Sequence, residues 1–222
     1  MDQKITALRV QKRNPNRINV FLDGTFAFGV SRIVGAWLKI GQVLGEKEIE
    51  ALQRQDSAET ALQKALQVLS YRPRSEQEVQ KKLSDDGYDA ATIQTVIDRL
   101  RANGLLEDRS FARTWVENRT VFRPRSRRLM AYELRQKGVS DEVVQETLAE
   151  AADDTTLAYE AARLHARHWT GMEWVDFRKK LNGFLARRGF NFETADGVVR
   201  KLWAELHAGG EGEQSGFEDE TL

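Results

Sequence analysis

The sequence predicts a mainly α protein: a tandem array of three three-helix repeats, preceded by a small N-terminal antiparallel β-sheet of three strands. Three observations carry that prediction. First, the pentad Tyr71-Arg72-Pro73-Arg74-Ser75 returns 51 positions later as Phe122-Arg123-Pro124-Arg125-Ser126. Second, the match continues without a gap, pairing Leu83 with Leu134, Gly87 with Gly138, Ile93 with Val144 and Ile97 with Leu148; a further step of 51 brings Leu185, Gly189 and Val199 into register. Third, three short stretches within the first thirty residues, 4–12 weakly and then 18–23 and 26–30, alternate apolar with other side chains, the period of strands. A repeat of this length is a stacked supersecondary unit that buries little surface alone and shares a core with its neighbours.

In chain order, residues 4–12 alternate weakly and are β-like, and Asn14-Pro15-Asn16 is a turn cluster. Ile18, Val20 and Leu22 alternate with Asn19, Phe21 and Asp23, as in a strand. Asp23-Gly24 supplies a two-residue hairpin turn, because both positions tolerate positive φ. Phe26, Phe28 and Val30 continue as the third strand. Three strands are marginal alone, so the sheet should pack on the helices that follow. Residues 31–39 and 46–55 read as helical. Gln55-Asp56-Ser57 is expected to break that pattern and cap the first helix of the first repeat.

Each repeat reads as helix, short turn, helix, glycine turn, helix. Ser75 with Glu78 three residues on is a capping box, each side chain satisfying an orphan backbone N–H. Ser126 can cap the second copy, but Leu129 stands where the Glu would be. Gly87, Gly138 and Gly189 fall where a helix ends in a left-handed residue, and the apolar residue after each (Tyr88, Val139, Phe190) should pack back on Leu83, Leu134 and Leu185. Gly104 and Leu105 end another helix in the same way, reaching back to Leu100. Third helices carry Ile93, Val96, Ile97 and Leu100, then Val143, Val144 and Leu148. The expected divisions are 1–56 for the sheet with short helices, 57–107, 108–152 and 153–208 for the repeats, and 209–222 for an acidic disordered tail.

Lys plus Arg and Asp plus Glu are both 34, but the charge is uneven: residues 108–152 carry 9 basic and 7 acidic groups, while 209–222 carry 5 acidic and none basic. There is no cysteine, which excludes disulfide and thiolate chemistry. The start Met1-Asp2-Gln3-Lys4 lacks the apolar segment of a signal peptide, and the longest apolar run, Ile33–Leu38, is far short of a membrane span. A cytoplasmic monomer without membrane contact is expected. No phosphate-binding loop or dinucleotide fingerprint occurs. Among three histidines, only His165 and His168 share a helix face, without carboxylates to complete a metal site. No catalytic constellation is present, so no enzyme and no cofactor are expected.

Arginine remains. Arg72 and Arg74 precede one helix; Arg123, Arg125, Arg127 and Arg128 bracket the start of its counterpart; Arg109, Arg113 and Arg119 lie on the helix before. No acid stands between Glu117 and Glu133. A stripe of guanidinium groups on one face would bind a polyanion or an acidic protein surface, though the same residues could simply pair with neighbouring acids. Taken as exposed, Arg125, Arg127 and Arg128 should be replaceable with little loss of stability.

The pentad with Glu78 and Leu83, the run Gly104-Leu105-Leu106-Glu107-Asp108-Arg109-Ser110-Phe111-Ala112, and the second-copy residues Arg128-Leu129, Glu133-Leu134 and Lys137-Gly138-Val139 together resemble the RecX family. Leu185-Ala186-Arg187-Arg188-Gly189-Phe190 resembles its third repeat. The resemblance spans residues from about 60 to 205. It implies a modulator of the RecA recombinase that lies in the groove of the RecA–DNA filament, inhibits ATP hydrolysis, strand exchange and co-protease activity, and reaches single-stranded DNA through the filament. The third copy lacks the pentad, so contacts there rest on Arg187 and Arg188. A stand-alone DNA-binding protein using the same arginines is the alternative.

Overall fold

The computed structural model describes residues 2–208; the tail expected at 209–222 lies outside them. The chain divides into two compact units, Met1–Glu107 and Asp108–Leu222.

The first unit opens with β1 (Gln3–Val10), β2 (Arg17–Leu22) and β3 (Thr25–Ser31). Asp23 and Gly24 take φ of 47° and 87°, the left-handed pair the hairpin needs. A two-residue strand, β4 (Val43–Leu44), pairs with β1 and makes the sheet four-stranded, in the order β3-β2-β1-β4. Val20, Leu22, Phe28 and Val30 point into the core as the alternation requires. Phe26 does not: a register shift between Val20 and Phe21 turns it to the outer face, edge-on to Phe21 at 6.0 Å.

Two helical expectations need correction. The stretch 31–39 forms only α1 (Arg32–Gly35). Gln55-Asp56-Ser57 does not break a helix: α2 runs unbroken from Glu46 to Tyr71. Asp56 accepts hydrogen bonds from the Ser31 backbone N–H and, at 2.8 Å, from Arg17 Nη2. With its carboxylate satisfied by the sheet, it caps nothing, and no Gly or Pro interrupts the run. One end of α2 packs Ile49 and Leu52 on the sheet core. The other places Ala61 and Ala65 against Val79, Leu83, Val96, Ile97 and Leu100 of α3 (Glu76–Asp85) and α4 (Ala90–Ala102).

The second unit contains α5 (Asp108–Val121), α6 (Arg127–Gln136), α7 (Asp141–Ala149), α8 (Asp154–Arg167), α9 (Trp174–Arg187) and α10 (Phe192–His207). One continuous hydrophobic cluster runs from Phe111 to Leu202, so the second and third copies share a core.

The repeat period survives at the helix ends. Helices α3, α6 and α9 stop at Asp85, Gln136 and Arg187, and α4, α7 and α10 start at Ala90, Asp141 and Phe192. At each stop the glycine has a φ of 89°, 79° or 87°, and the next residue's N–H returns to the carbonyl of Leu83, Leu134 or Leu185, a Schellman ending. Gly104 and Leu105 close α4 likewise on the Leu100 carbonyl. At its start, however, α9 is a turn longer than its counterparts, so four of the five residues that match the pentad, Trp174 to Phe177, lie inside it and the first, Glu173, is its N-cap. Ser75, Ser126 and Phe177 occupy one equivalent position and are all fully buried. Where the helix starts later the position holds a capping hydroxyl; where it starts earlier it holds core.

Candidate polyanion-binding surface

The second pentad is a loop between two well-anchored helix ends. Ser126 Oγ accepts from the Leu129 N–H at 3.2 Å and starts α6, and Pro124 is buried. On the last turns of α5, Arg119 lies over the indole of its i−4 neighbour Trp115, 4.1 Å from the ring centroid, an approach that favours a cation. Lys137 comes within 4.5 Å of the same ring.

The centre of the surface is Glu133 on α6. Its carboxylate accepts from Trp115 Nε1 at 3.0 Å and from Arg119 Nε at 3.1 Å, and pairs with Arg125. From the end of α9, Arg188 donates Nη1 to the Pro124 carbonyl at 3.1 Å and stacks over Phe184 at 4.4 Å. The Phe184 ring in turn meets His165 at 4.2 Å. Arg123 is exposed, with no hydrogen bond or ion pair among the described residues.

Electrostatics shows the crowding. The guanidinium of Arg125 is held below its usual value by burial and then by the charges of Arg119 and Arg123. Arg188 is lowered by burial and then by Arg125 and Arg123. Arg119 is lowered by burial alone. His165 is lowered by burial, then by Arg188 and His168. Each shift means that the protonated form is disfavoured; burial is the largest cause throughout, and repulsion from neighbouring cations adds to it at Arg125, Arg188 and His165. A bound anion would relieve that repulsion.

The eight nominated arginines fare differently. Arg123, Arg125 and Arg188 come together here. Arg128 is exposed at the rim, 3.4 Å from the Gly189 carbonyl, and Arg187 is exposed at the end of α9. Arg127 turns away: its guanidinium bonds the carbonyls of Ala151 and Ala152, beyond the end of α7, and its backbone N–H donates to Asp154. In the first unit, both Arg72 Nη groups reach Glu78 at 3.1 Å, and Arg74 Nε donates to the Val68 carbonyl at 3.1 Å. Sequence reasoning missed the parts that organise the surface: Glu133 as hub, and Trp115, Lys137 and Phe184 as its aromatic and cationic frame. The four-residue spacing of Trp115 and Arg119 was a usable signal; the convergence of α6 with α9 was not.

Among the described residues, no group of three or more His, Asp or Glu could hold a metal ion, and no helix is long and apolar enough to cross a membrane.

Family models match in three places: the N-terminal domain of regulatory protein RecX over residues 3–45, the first RecX three-helix domain over 61–100, and the second over 108–148. A regulatory protein RecX from Lactobacillus johnsonii is 32% identical over 202 residues, covering 89% of this chain and 74% of the relative. The chain belongs to the RecX family. The Bacillus licheniformis RecX is 30% identical, with 94% and 81% covered. A crystal structure of a regulatory protein RecX superposes with a TM-score of 0.68 at 25% identity, over 89% of this chain and 99% of that one. RecX from Lactobacillus salivarius shares the fold, with a TM-score of 0.57 at 21% identity over 67% and 97%. The family is named for a regulatory role, and its matched domains fall on the N-terminal sheet and on the first two three-helix units described above.

Proposed function

We propose that this RecX-family chain regulates the RecA recombinase by binding its DNA filament, and that the Glu133-centred arginine surface supplies the contact. The bound chain inhibits ATP hydrolysis, strand exchange and co-protease activity, and so restrains DNA repair and the SOS response. It acts as a monomer in the cytoplasm and meets single-stranded DNA within the filament. The observation that carries this reading is the excess of guanidinium groups over carboxylate at one surface: Arg119, Arg123, Arg125 and Arg188 gather near Glu133. Arginine forks suit phosphate and carboxylate equally, and a regulated filament presents both.

The test is the rate of RecA ATP hydrolysis on single-stranded DNA as the protein is titrated in. Inhibition is expected, and Arg123→Ala with Arg125→Ala should relieve it. Inhibition well below one molecule per recombinase monomer means capping or breakage of filaments; inhibition only near saturation means coating of the groove. Unchanged hydrolysis at stoichiometric excess overturns the reading. The second reading, a stand-alone DNA-binding protein, is favoured by the basic surplus of residues 108–152. It requires tight binding to free DNA that weakens steeply with salt.

A further inference from the structure

We propose that the aromatic residue opening each of the two pentads is, within its own unit, a stacking contact for unpaired bases of single-stranded nucleic acid, with Phe122 the principal contact and Tyr71 a weaker one. This rests on the reading above, in which the arginine surface faces DNA. Tyr71 and Phe122 occupy equivalent positions at the end of the first helix of their repeats, and they are 74% and 75% exposed. Other rings are exposed too, Trp37 at 82%, Phe192 at 68% and Phe26 and Tyr132 at 58%, but none of them recurs at an equivalent position of another copy, while Phe111, Phe177 and Phe190 are nearly or fully covered. A single exposed ring is ordinary. Two equivalent ones, each followed by Arg-Pro-Arg-Ser, are a repeated arrangement that the turn does not require, because the cap uses the serine.

The surroundings identify the partner. Proteins that hold single strands combine a ring for the base with a cation for the backbone beside it. Phe122 is followed by Arg123, which has no ion pair among the described residues, and Arg123 sits close enough to Arg125 and Arg188 to disfavour their charged forms. No acid is nearer along the chain than Glu117 and Glu133, and Glu133 is already shared by Arg119 and Arg125. A polyanion whose subunits each carry a π face answers both features. Tyr71 is the weaker contact because Arg72 is held by both oxygens of Glu78. The third copy has no such contact: Glu173 and Trp174 stand at these positions, at the start of the lengthened α9.

The test uses the full chain without recombinase. Fluorescence anisotropy compares a labelled thymidine oligonucleotide with an abasic strand of equal length, which keeps the phosphates and lacks the bases. Phe122→Ala should weaken binding to the thymidine strand by about tenfold, the loss of roughly one stacked base. It should leave the abasic affinity and the thermal midpoint unchanged. Phe122→Trp should retain binding, and Tyr71→Ala should lose less. The inference is overturned if Phe122→Ala binds the thymidine strand as the unsubstituted chain does, if it weakens both strands equally, or if the unsubstituted chain binds neither. Inhibition of RecA that persists in any of these cases leaves the filament reading standing; loss of inhibition in the unsubstituted chain removes it separately.

Discussion

The backbone N–H of Ser126 donates to the carbonyl of Arg188 at 3.0 Å, 62 residues away in sequence. At the equivalent position, the Ser75 N–H is served locally by Glu78 of its own capping box, at 3.4 Å. The exchange of Glu for Leu129 thus moves one hydrogen bond from a helix to its neighbour. Arg188 returns the contact through Nη1 to Pro124, and Arg128 adds a long bond to the Gly189 carbonyl. The second pentad is latched to the third copy, whereas the Ser75 N–H of the first is bonded within its own helix start.

The latch makes the three equivalent glycines unequal. A Cβ at Gly189 would lie 2.6 Å from Ser126 Oγ and 2.7 Å from Leu129 Cβ, whereas one at Gly87 meets nothing within 4 Å. Both carry positive φ. Gly87→Ala should therefore cost about 1 kcal/mol of backbone strain, and Gly189→Ala about 2–4 kcal/mol because overlap is added. Urea denaturation of the two variants measures the difference; equal losses would refute the close approach.

Arg127 and Arg123, four residues apart, should separate stability from binding. Arg127→Ala leaves the carbonyls of Ala151 and Ala152 without their donor, at a cost of about 1–3 kcal/mol. Arg123→Ala should change stability by less than about 0.5 kcal/mol and should weaken inhibition of ATP hydrolysis. This corrects the expectation that Arg125, Arg127 and Arg128 can be replaced together at little cost. Thermal melts alongside hydrolysis titrations report both quantities.

Asp56 ties α2 to the sheet through Ser31 and Arg17. Asp56→Ala leaves a part-buried N–H and a part-buried guanidinium without this partner, and should destabilise the first unit by about 2–3 kcal/mol. Hydrogen exchange should show the faster amides in β2, β3 and the adjoining part of α2. Had Asp56 been a surface cap, the effect would stay local to residues 56–60.

The second unit should be acid-sensitive through Asp196. Arg178 at 2.6 Å, Arg200 at 2.9 Å and Asn182 at 3.2 Å all donate to its carboxylate, and the first two hold it well below the usual carboxylate range. A depressed folded-state value means that the contribution is complete above the unfolded value, near 3.9, and is lost as the pH falls towards the folded one. The thermal midpoint of the chain should fall below about pH 4, and Asp196→Asn should flatten that limb. An identical acid limb in the variant would assign the loss to the other lowered carboxylates: Asp86, held chiefly by its hydrogen bond from Lys82, and the cap residues Asp89 and Asp153, held chiefly by backbone N–H donors.

What could be read in advance was whatever one helix or one turn decides. The glycine endings at 87, 104, 138 and 189, the Ser75 box and the Asp23-Gly24 hairpin need only residues a few positions apart. What escaped depends on distant chain. Asp56 looks like a helix start until the sheet supplies its donors. Arg127 looks like a surface cation until the carbonyls beyond α7 arrive beside it. Glu133 looks like the far limit of an acid-free stretch until Trp115, Arg119 and Arg125 converge on it. The fourth strand, two residues long, has no periodicity to detect.

The unbroken α2 gives the first unit a mechanical character. At 1.5 Å per residue its 26 residues form a strut of roughly 39 Å. The sheet grips one end and the core of the first repeat grips the other. A pull on the sheet is therefore carried along a hydrogen-bonded rod rather than taken up by a slack loop, and it loads Ala61, Ala65 and the leucines packed against them directly.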